Sequence, residues 1–288
     1  MTAKFSIIIP CYNNSDLLLN TLHGYSKQTY SIDNFEVILI DNNSSCNEMI
    51  HCYHQYKDKF NLSMFFRPKL ESSFSLNSAR NIGVNIANNE WNVFSDSDCI
   101  PSPYFLSEIN KEIENNGKNI CLTGIREFIH ADNIDINRMN KENNHLDNCP
   151  RVYSPTNYGL LRDRRLGKIE LLPNTEHPWG HFYGCNMVFR KQDILNVGRF
   201  DEHYDGSWGY DDIDLAYKVI TELDIKPIFM NNATVYHQDK IDVDVTVNNI
   251  ENKTTKTNNR NYQYICNRIN GYYEFSMNEF KRFRLKSI

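Results

Sequence analysis

Short apolar runs alternate with amphipathic stretches through the first part of the chain. Phe5 to Ile9 is a continuous apolar run closed by Pro10, the pattern of a strand buried on both faces. The segment CYNNSDLLLNTLHGYSKQTY follows, with a cap at Asn14 or Ser15 and Leu17, Leu18 and Leu22 at helical spacing. Phe35 to Ile40 predicts a second buried strand running into the turn-forming string Asp41 to Ser45, and a helix is expected from about Asn47 to Lys59. Leu62 to Phe66 reads as a third strand, and Ser78 to Asn88 as a helix with Ala79, Ile82 and Ile86 inward. A further strand through Val93 and Phe94 ends at Asp96, Ser97 and Asp98, ahead of Pro101 and Pro103.

Strands alternating with helices imply right-handed crossovers, a mostly parallel sheet and a ligand site beyond the carboxyl ends of its strands. Pro10 to Asn14, Asp41 to Ser45 and Asp96 to Asp98 all fall at such ends, so three polar clusters converge on one crevice. If the strand period of two continues, Asp96 and Asp98 share a face and Ser97 points away. Two such carboxylates can hold a hard divalent cation, Mg2+ or Mn2+, together with water and substrate phosphates. Taken alone, Asp-x-Asp is also what a polar turn after a core strand looks like.

Beyond Asn119 the alternation loosens. Ile120 to Ile129 reads as a strand, whereas Ala131 to Pro178 is long, polar and unassigned, as in a functional lid or a disordered segment. Apolar content returns at Phe182 to Phe189. Tyr210 to Leu223 forms an amphipathic helix with Ile213, Ala216, Val219, Ile220 and Leu223 on one face, and Pro227 to Tyr236 is a last strand leading into His237.

Composition then narrows the class. The formal net charge of -5 over 288 residues argues against a nucleic-acid binder. The eight cysteines are scattered without a Cys-x-x-Cys pair, as expected of free thiols in a reducing compartment. Neither a signal peptide nor a bilayer-spanning apolar run is evident, so a cytoplasmic protein is expected. From Asn252 onward basic residues outnumber acidic ones. Tyr272, Tyr273, Phe275, Phe280 and Phe283 interleave with Lys281, Arg282, Arg284 and Lys286, a pattern that suits either peripheral contact with an anionic membrane or packing on the main domain with a solvated basic face.

Several stretches together resemble the family 2 glycosyltransferases of the GT-A fold. SIIIPCYNN, VILIDNNSS, SARNIG and FSDSDC occur in that family's order. GCNMVFRK from Gly184, GRFDE from Gly198 and WGYDDIDLAYKV from Trp208 resemble a segment shared by galactosyl- and N-acetylgalactosaminyl-transferases, including bacterial chondroitin polymerases. The resemblance implies an α/β, Rossmann-like GT-A fold with a mostly parallel central sheet flanked by helices. It covers residues 4 to 240, roughly. A catalytic domain is expected over 1–245, with a nucleotide-binding half to about residue 100 and an acceptor half after it, then a basic aromatic extension over 246–288.

Carried over residue by residue, the resemblance implies a UDP-sugar donor, a glycan or glycoconjugate acceptor and Mn2+ or Mg2+. Pro10, Tyr12 and Asn14 would line the uridine pocket, Asp41 the base or ribose, and Arg80 and Asn81 the nucleotide and diphosphate. Asp96 and Ser97 would lie beside the ribose and metal, with Asp98 and His237 as metal ligands. Asp212 matches the general base and Asp211 its acidic neighbour; Asn186, Trp208 and Gly209 fall on the sugar or acceptor side. The family's Gly-Glu-Asp is here Tyr210-Asp211-Asp212, which bears on sugar and acceptor preference.

The chemistry needs these residue types. Breaking the anomeric bond leaves a diphosphate that gains negative charge, which a divalent ion stabilises. The attacking hydroxyl must lose a proton to a positioned carboxylate, and a helix start keeps such a carboxylate ionised. Trp208 can stack on a sugar face, although a lone tryptophan also suits a core. A nucleotidyltransferase would carry a Gly-rich, Arg-containing loop after the first strand, which CYNNSD lacks; a non-catalytic nucleotide-sugar-binding module stays open.

Overall fold

In the computed structural model, residues 2–45, 47–67, 75–154, 159–160, 163–239 and 259–284 are described. The chain opens with β1 (Phe5–Cys11), α1 (Ser15–Ser26), β2 (Phe35–Asp41), α2 (Glu48–Tyr56), β3 (Asn61–Phe66), α3 (Leu76–Ile86) and β4 (Trp91–Phe94). It continues with β5 (Cys99–Pro101), α4 (Phe105–Asn116), β6 (Ile120–His130), the short α5 (Ile136–Met139) and a two-stranded ribbon, β7 (Tyr153–Ser154) with β8 (Gly159–Leu160). β9 (Met187–Arg190), α6 (Lys191–Asn196), α7 (Asp211–Tyr217), β10 (Lys226–Asp239), α8 (Arg260–Arg268) and α9 (Tyr272–Arg284) complete the order.

The main sheet runs β3-β2-β1-β4-β9-β6-β10-β5, with β9 and β5 antiparallel to their neighbours and every other pairing parallel. β1 explains why both faces are covered: Phe5, Ile7 and Ile9 enter one core with α1, α2 and α4, while Ile8 enters the other with α3 and α7. The second face is so tightly covered that a Cβ on Gly83 of α3 would lie 2.3 Å from Ile8 Cγ2. Only a glycine admits that approach.

Several sequence expectations move by a few residues. Pro10 does not end β1, because β4 pairs with β1 only as far as Ile8, and a proline is tolerated where one edge is free. α2 stops at Tyr56 rather than Lys59, and the turn after it lets Phe60 fill the core. Tyr210 is not helical: it caps α7 in the left-handed region at φ 76°, after Gly209 at φ 95°. The helix then widens into a π turn over Lys218–Glu222.

The described part of the long stretch after β6 combines short 3-10 turns with α5 and the β7–β8 ribbon, and it carries a buried ion pair. Arg165 and Asp163 are both fully enclosed. The described part of the C-terminal extension joins the second core, where Tyr262, Ile265, Ile269 and Tyr272 pack with α7 and Trp179. Tyr272 and Phe275 are therefore turned onto the domain, with Tyr273 half exposed. The side chains of Phe280, Lys281, Arg282, Phe283, Arg284 and Lys286 lie outside the described residues. Among the described residues, no helix is long and apolar enough to cross a membrane.

Candidate active site

The parallel strands of the first half deliver their polar ends to one rim of the sheet. Asp41 is buried at the end of β2, and its Oδ1 accepts from the Ser44 N–H at 3.0 Å and the Ser44 hydroxyl at 2.6 Å. Asn13, with φ 51°, reaches across to Ser45. Asn14 does not cap α1 with its side chain; its amide bonds the Ser97 hydroxyl, and the Ser97 carbonyl accepts from Thr21 at 2.9 Å. Ser97 is thereby tied to α1. Tyr12 projects beside them, half exposed, and Pro10 stays within β1.

The strand period assumed for Asp96 to Asp98 does not hold there. β4 ends at Phe94, and the Cys99 N–H bonds the Asp96 carbonyl at 3.1 Å, closing a turn. The turn still leaves Asp96 and Asp98 partly exposed and Ser97 buried. It reverses the chain into β5, which pairs antiparallel with β10 so that Cys99 faces His237 across the ladder. His237 is thus inside β10 rather than after it. Its Nε2 lies 3.6 Å from Asp98 Oδ2, and its Nδ1 lies 3.4 Å from Asp239 Oδ2. Burial works against a charged imidazole, but the Asp98 and Asp239 carboxylates outweigh it and push His237 up to about 9. Asp98 is itself raised by burial, with His237 pulling the other way.

Arg80 of α3 joins this rim to the second half of the chain. One guanidinium nitrogen is 3.2 Å from Asp96 and the other 2.6 Å from Asp211, more than a hundred residues away in sequence. Asp211 is buried, and its carboxyl is pushed up to about 7 by that burial, with Arg80 opposing and Asp212 reinforcing the rise. Asp212 is the more accessible of the two. Its Oδ2 accepts from the Gly184 N–H at 3.0 Å and its Oδ1 from the Ile213 N–H at 2.9 Å. Burial raises it as well, while Arg80 and the two N–H bonds resist.

Not every expected residue faces the crevice. The Asn81 amide is engaged by the Phe200 backbone and Glu202. Asn186 is fully buried, and its amide nitrogen bridges Ile125 and Ala233 carbonyls where β10 bulges between Met230 and Val235. Trp208 is 63% exposed in the loop before α7. Three features escaped the sequence reading: the Arg80–Asp211 pair, the Gly184 N–H on Asp212, and Asp239 behind His237. Asp239 carries a usable signal, since residues 237 and 239 share a face of one strand.

An open, mostly parallel sheet with carboxylates at its strand ends and a histidine returned to them by an antiparallel edge is the GT-A glycosyltransferase architecture. The chain belongs to glycosyl transferase family 2, whose profile matches residues 6–197. Chondroitin synthase of Pasteurella multocida is 25% identical over 244 residues, which is 81% of this chain and 24% of that protein. Hyaluronan synthase of Pasteurella multocida is 25% identical over 223 residues, 74% of this chain and 22% of that protein. The chain thus spans about a quarter of the length of these relatives. Among solved structures, Staphylococcus aureus TarS with UDP-GlcNAc aligns at a TM-score of 0.58 and 19% identity, covering 83% of this chain and 59% of that one. GalNAc-T7 with UDP, GalNAc and Mn2+ aligns at 0.59 and 17% identity, covering 84% and 45%.

Proposed function

We propose that this chain is an inverting, divalent-metal-dependent glycosyltransferase that moves a hexose or N-acetylhexosamine from a UDP-sugar to a hydroxyl of a glycan or glycoconjugate acceptor. One observation carries the reading: Asp98 meets His237 on one side, Asp211 and Asp212 stand on the other, and Arg80 bridges the two through Asp96 and Asp211. The UDP-GlcNAc in the TarS structure and the UDP and Mn2+ in the GalNAc-T7 structure support a nucleotide-sugar donor and a metal.

The donor atoms suit such an ion. A carboxylate oxygen and an imidazole nitrogen 3.6 Å apart are ligands that Mn2+ and Mg2+ accept, and a carboxylate behind the imidazole is the usual support for a ligating histidine. Asp98 and His237 would hold the ion, with Asp96 beside them, where it would stabilise charge developing on the departing diphosphate. Asp212 takes the proton from the attacking hydroxyl. The N–H groups of Gly184 and Ile213 aim its oxygens and favour its ionised form, and its partial exposure leaves room for an acceptor. Asp211 cannot share that task while it is locked to Arg80; it positions the start of α7 instead. Pro10, Tyr12, Asn14 and Asp41 border the nucleotide side, and Trp208 offers a ring face to a sugar.

Incubation with Mn2+ and a panel of UDP-sugars, with UDP release followed in the presence and absence of glycan acceptors, tests the reading. Release from a preferred donor, increased by acceptor and removed by chelator, is the expected result. No release from any donor with any acceptor would discard it.

A further inference from the structure

Arg126 stands beside this site with no carboxylate among the described residues in ion-pair distance. It lies on β6, two residues before Phe128, and Phe128 pairs with His237 across the β6–β10 ladder. Its guanidinium carbon sits 4.8 Å from the Phe128 ring centre and 4.7 Å from that of Tyr183, so the cation is held between two aromatic faces. Phe128 in turn lies 5.4 Å from the His237 ring, and Tyr183 immediately precedes the Gly184 whose N–H holds Asp212. Both flanks of the proposed reaction centre therefore touch the frame around Arg126.

The nearby carboxylate is already spent. Asp163 accepts from Arg165 Nε at 3.0 Å and Nη2 at 2.6 Å, and from the backbone N–H groups of Arg165 and Arg126. The rest of the Arg165 guanidinium is saturated by Thr123, Gly124 and His181. Asp163 acts on Arg126 through its charge, but its oxygens are bonded to the Arg165 side chain and not to the Arg126 guanidinium. Among the described residues no carboxylate lies within ion-pair distance of Arg126, and its Nε is buried without a hydrogen-bond partner. Tyr183, on whose ring Arg126 is stacked, is two residues before Cys185, which groups with Asp96 and Cys99 at the rim. A partly buried charge that is fixed in place and unpaired is costly unless a ligand supplies the opposite sign.

The geometry points to Arg126 as a recognition residue for an anionic group, a carboxylate or phosphate, carried by the acceptor. The acceptor is favoured over the donor because Arg126 is braced against Tyr183, next to the segment that orients Asp212, where the attacking hydroxyl must arrive. The assignment rests on the transferase reading for its setting, and a guanidinium fork matches either oxyanion.

The test uses the full chain and three disaccharides that differ only in the terminal unit: glucuronic acid, glucose and glucose phosphate. Transfer from a UDP-sugar with Mn2+ is measured alongside direct calorimetric binding of each disaccharide. Arg126→Met should reduce the preference for a charged over the neutral disaccharide by about 10- to 100-fold, the loss expected for a charge-assisted hydrogen bond. Arg126→Lys should restore part of that preference, and thermal melting verifies that both variants fold. A preference unchanged in folded Arg126→Met overturns the assignment. So does a fall in Mn2+-UDP affinity with the acceptor preference intact, which would give the charge to the donor diphosphate. If the wild-type chain transfers to no acceptor yet binds the charged disaccharides through Arg126, the transferase reading fails and the anion site stands; binding of none of them overturns the site.

Discussion

The two halves of the crevice satisfy their polar groups in different ways. On the side proposed for the nucleotide, Asp41 is bonded by Ser44, Asn13 by Ser45 and Asn14 by Ser97, all from strand ends that the parallel sheet already brings together. On the other side, Asp212 depends on Gly184, Asp211 on Arg80, and His237 on Asp98 and Asp239. The first arrangement is a rim braced by hydroxyls and amides. The second concentrates ionisable groups whose protonation is shifted by burial and by one another, the pattern expected where protons and metal ions are exchanged.

Substitutions on the second side should break function before fold. Asp212→Asn keeps the shape and removes the base, so kcat should fall by roughly 100- to 10,000-fold with little change in melting temperature. Steady-state kinetics with the preferred donor decides it, and full activity would refute the base assignment. Arg80→Met, by contrast, should weaken the fold itself. It strips the partner from buried Asp211, which costs about 3–5 kcal/mol. Urea unfolding should show a larger loss at pH 8 than at pH 6, because a carboxyl already raised to about 7 is protonated at the lower pH and then needs no partner.

Smaller effects sharpen the contrast. Asp239→Asn leaves the proposed ligands intact and should weaken Mn2+ binding by about 10- to 100-fold, as supporting carboxylates do elsewhere. Calorimetry of Mn2+ with UDP reads this directly; unchanged affinity would mean that Asp239 does not support His237. The pH dependence has a definite sign. His237 ionises at about 9 in the metal-free fold against an ordinary 6.5, so its ion pairs contribute stability below 6.5 that is lost as pH rises through 9. A metal needs the neutral ring, so Mn2+ affinity should climb between those two values and level off above 9. A flat profile would exclude His237 as a ligand.

Much of this organisation can be read along the chain. The apolar runs at Phe5, Phe35 and Trp91 locate three strands, and the polar strings after them locate the rim. Asp96, Asp98, Asp212 and His237 stand out through their places in stretches that resemble the family's motifs. Reading failed where a residue's conformation depends on distant partners. Tyr210 occupies a left-handed position against the usual preference, and its ring is packed on Tyr262 and Tyr272 from the C-terminal helices. Asn186 and Asn81 carry polar amides that the fold spends on its own backbone.

The sequence by itself determined the parallel α/β layout, since hydrophobic period and strand-ending polar residues are local properties. It also determined which residue types reach the rim. Tertiary structure alone decided which of two adjacent aspartates is free: Arg80 arrives from α3 to lock Asp211, and Gly184 arrives from before β9 to orient Asp212. It also decided that, among the described residues, Arg126 has no carboxylate in ion-pair distance, because the oxygens of Asp163 are bonded by the Arg165 side chain. Charge pairing inside a fold depends on through-space distance, and that distance is set only when the sheet closes.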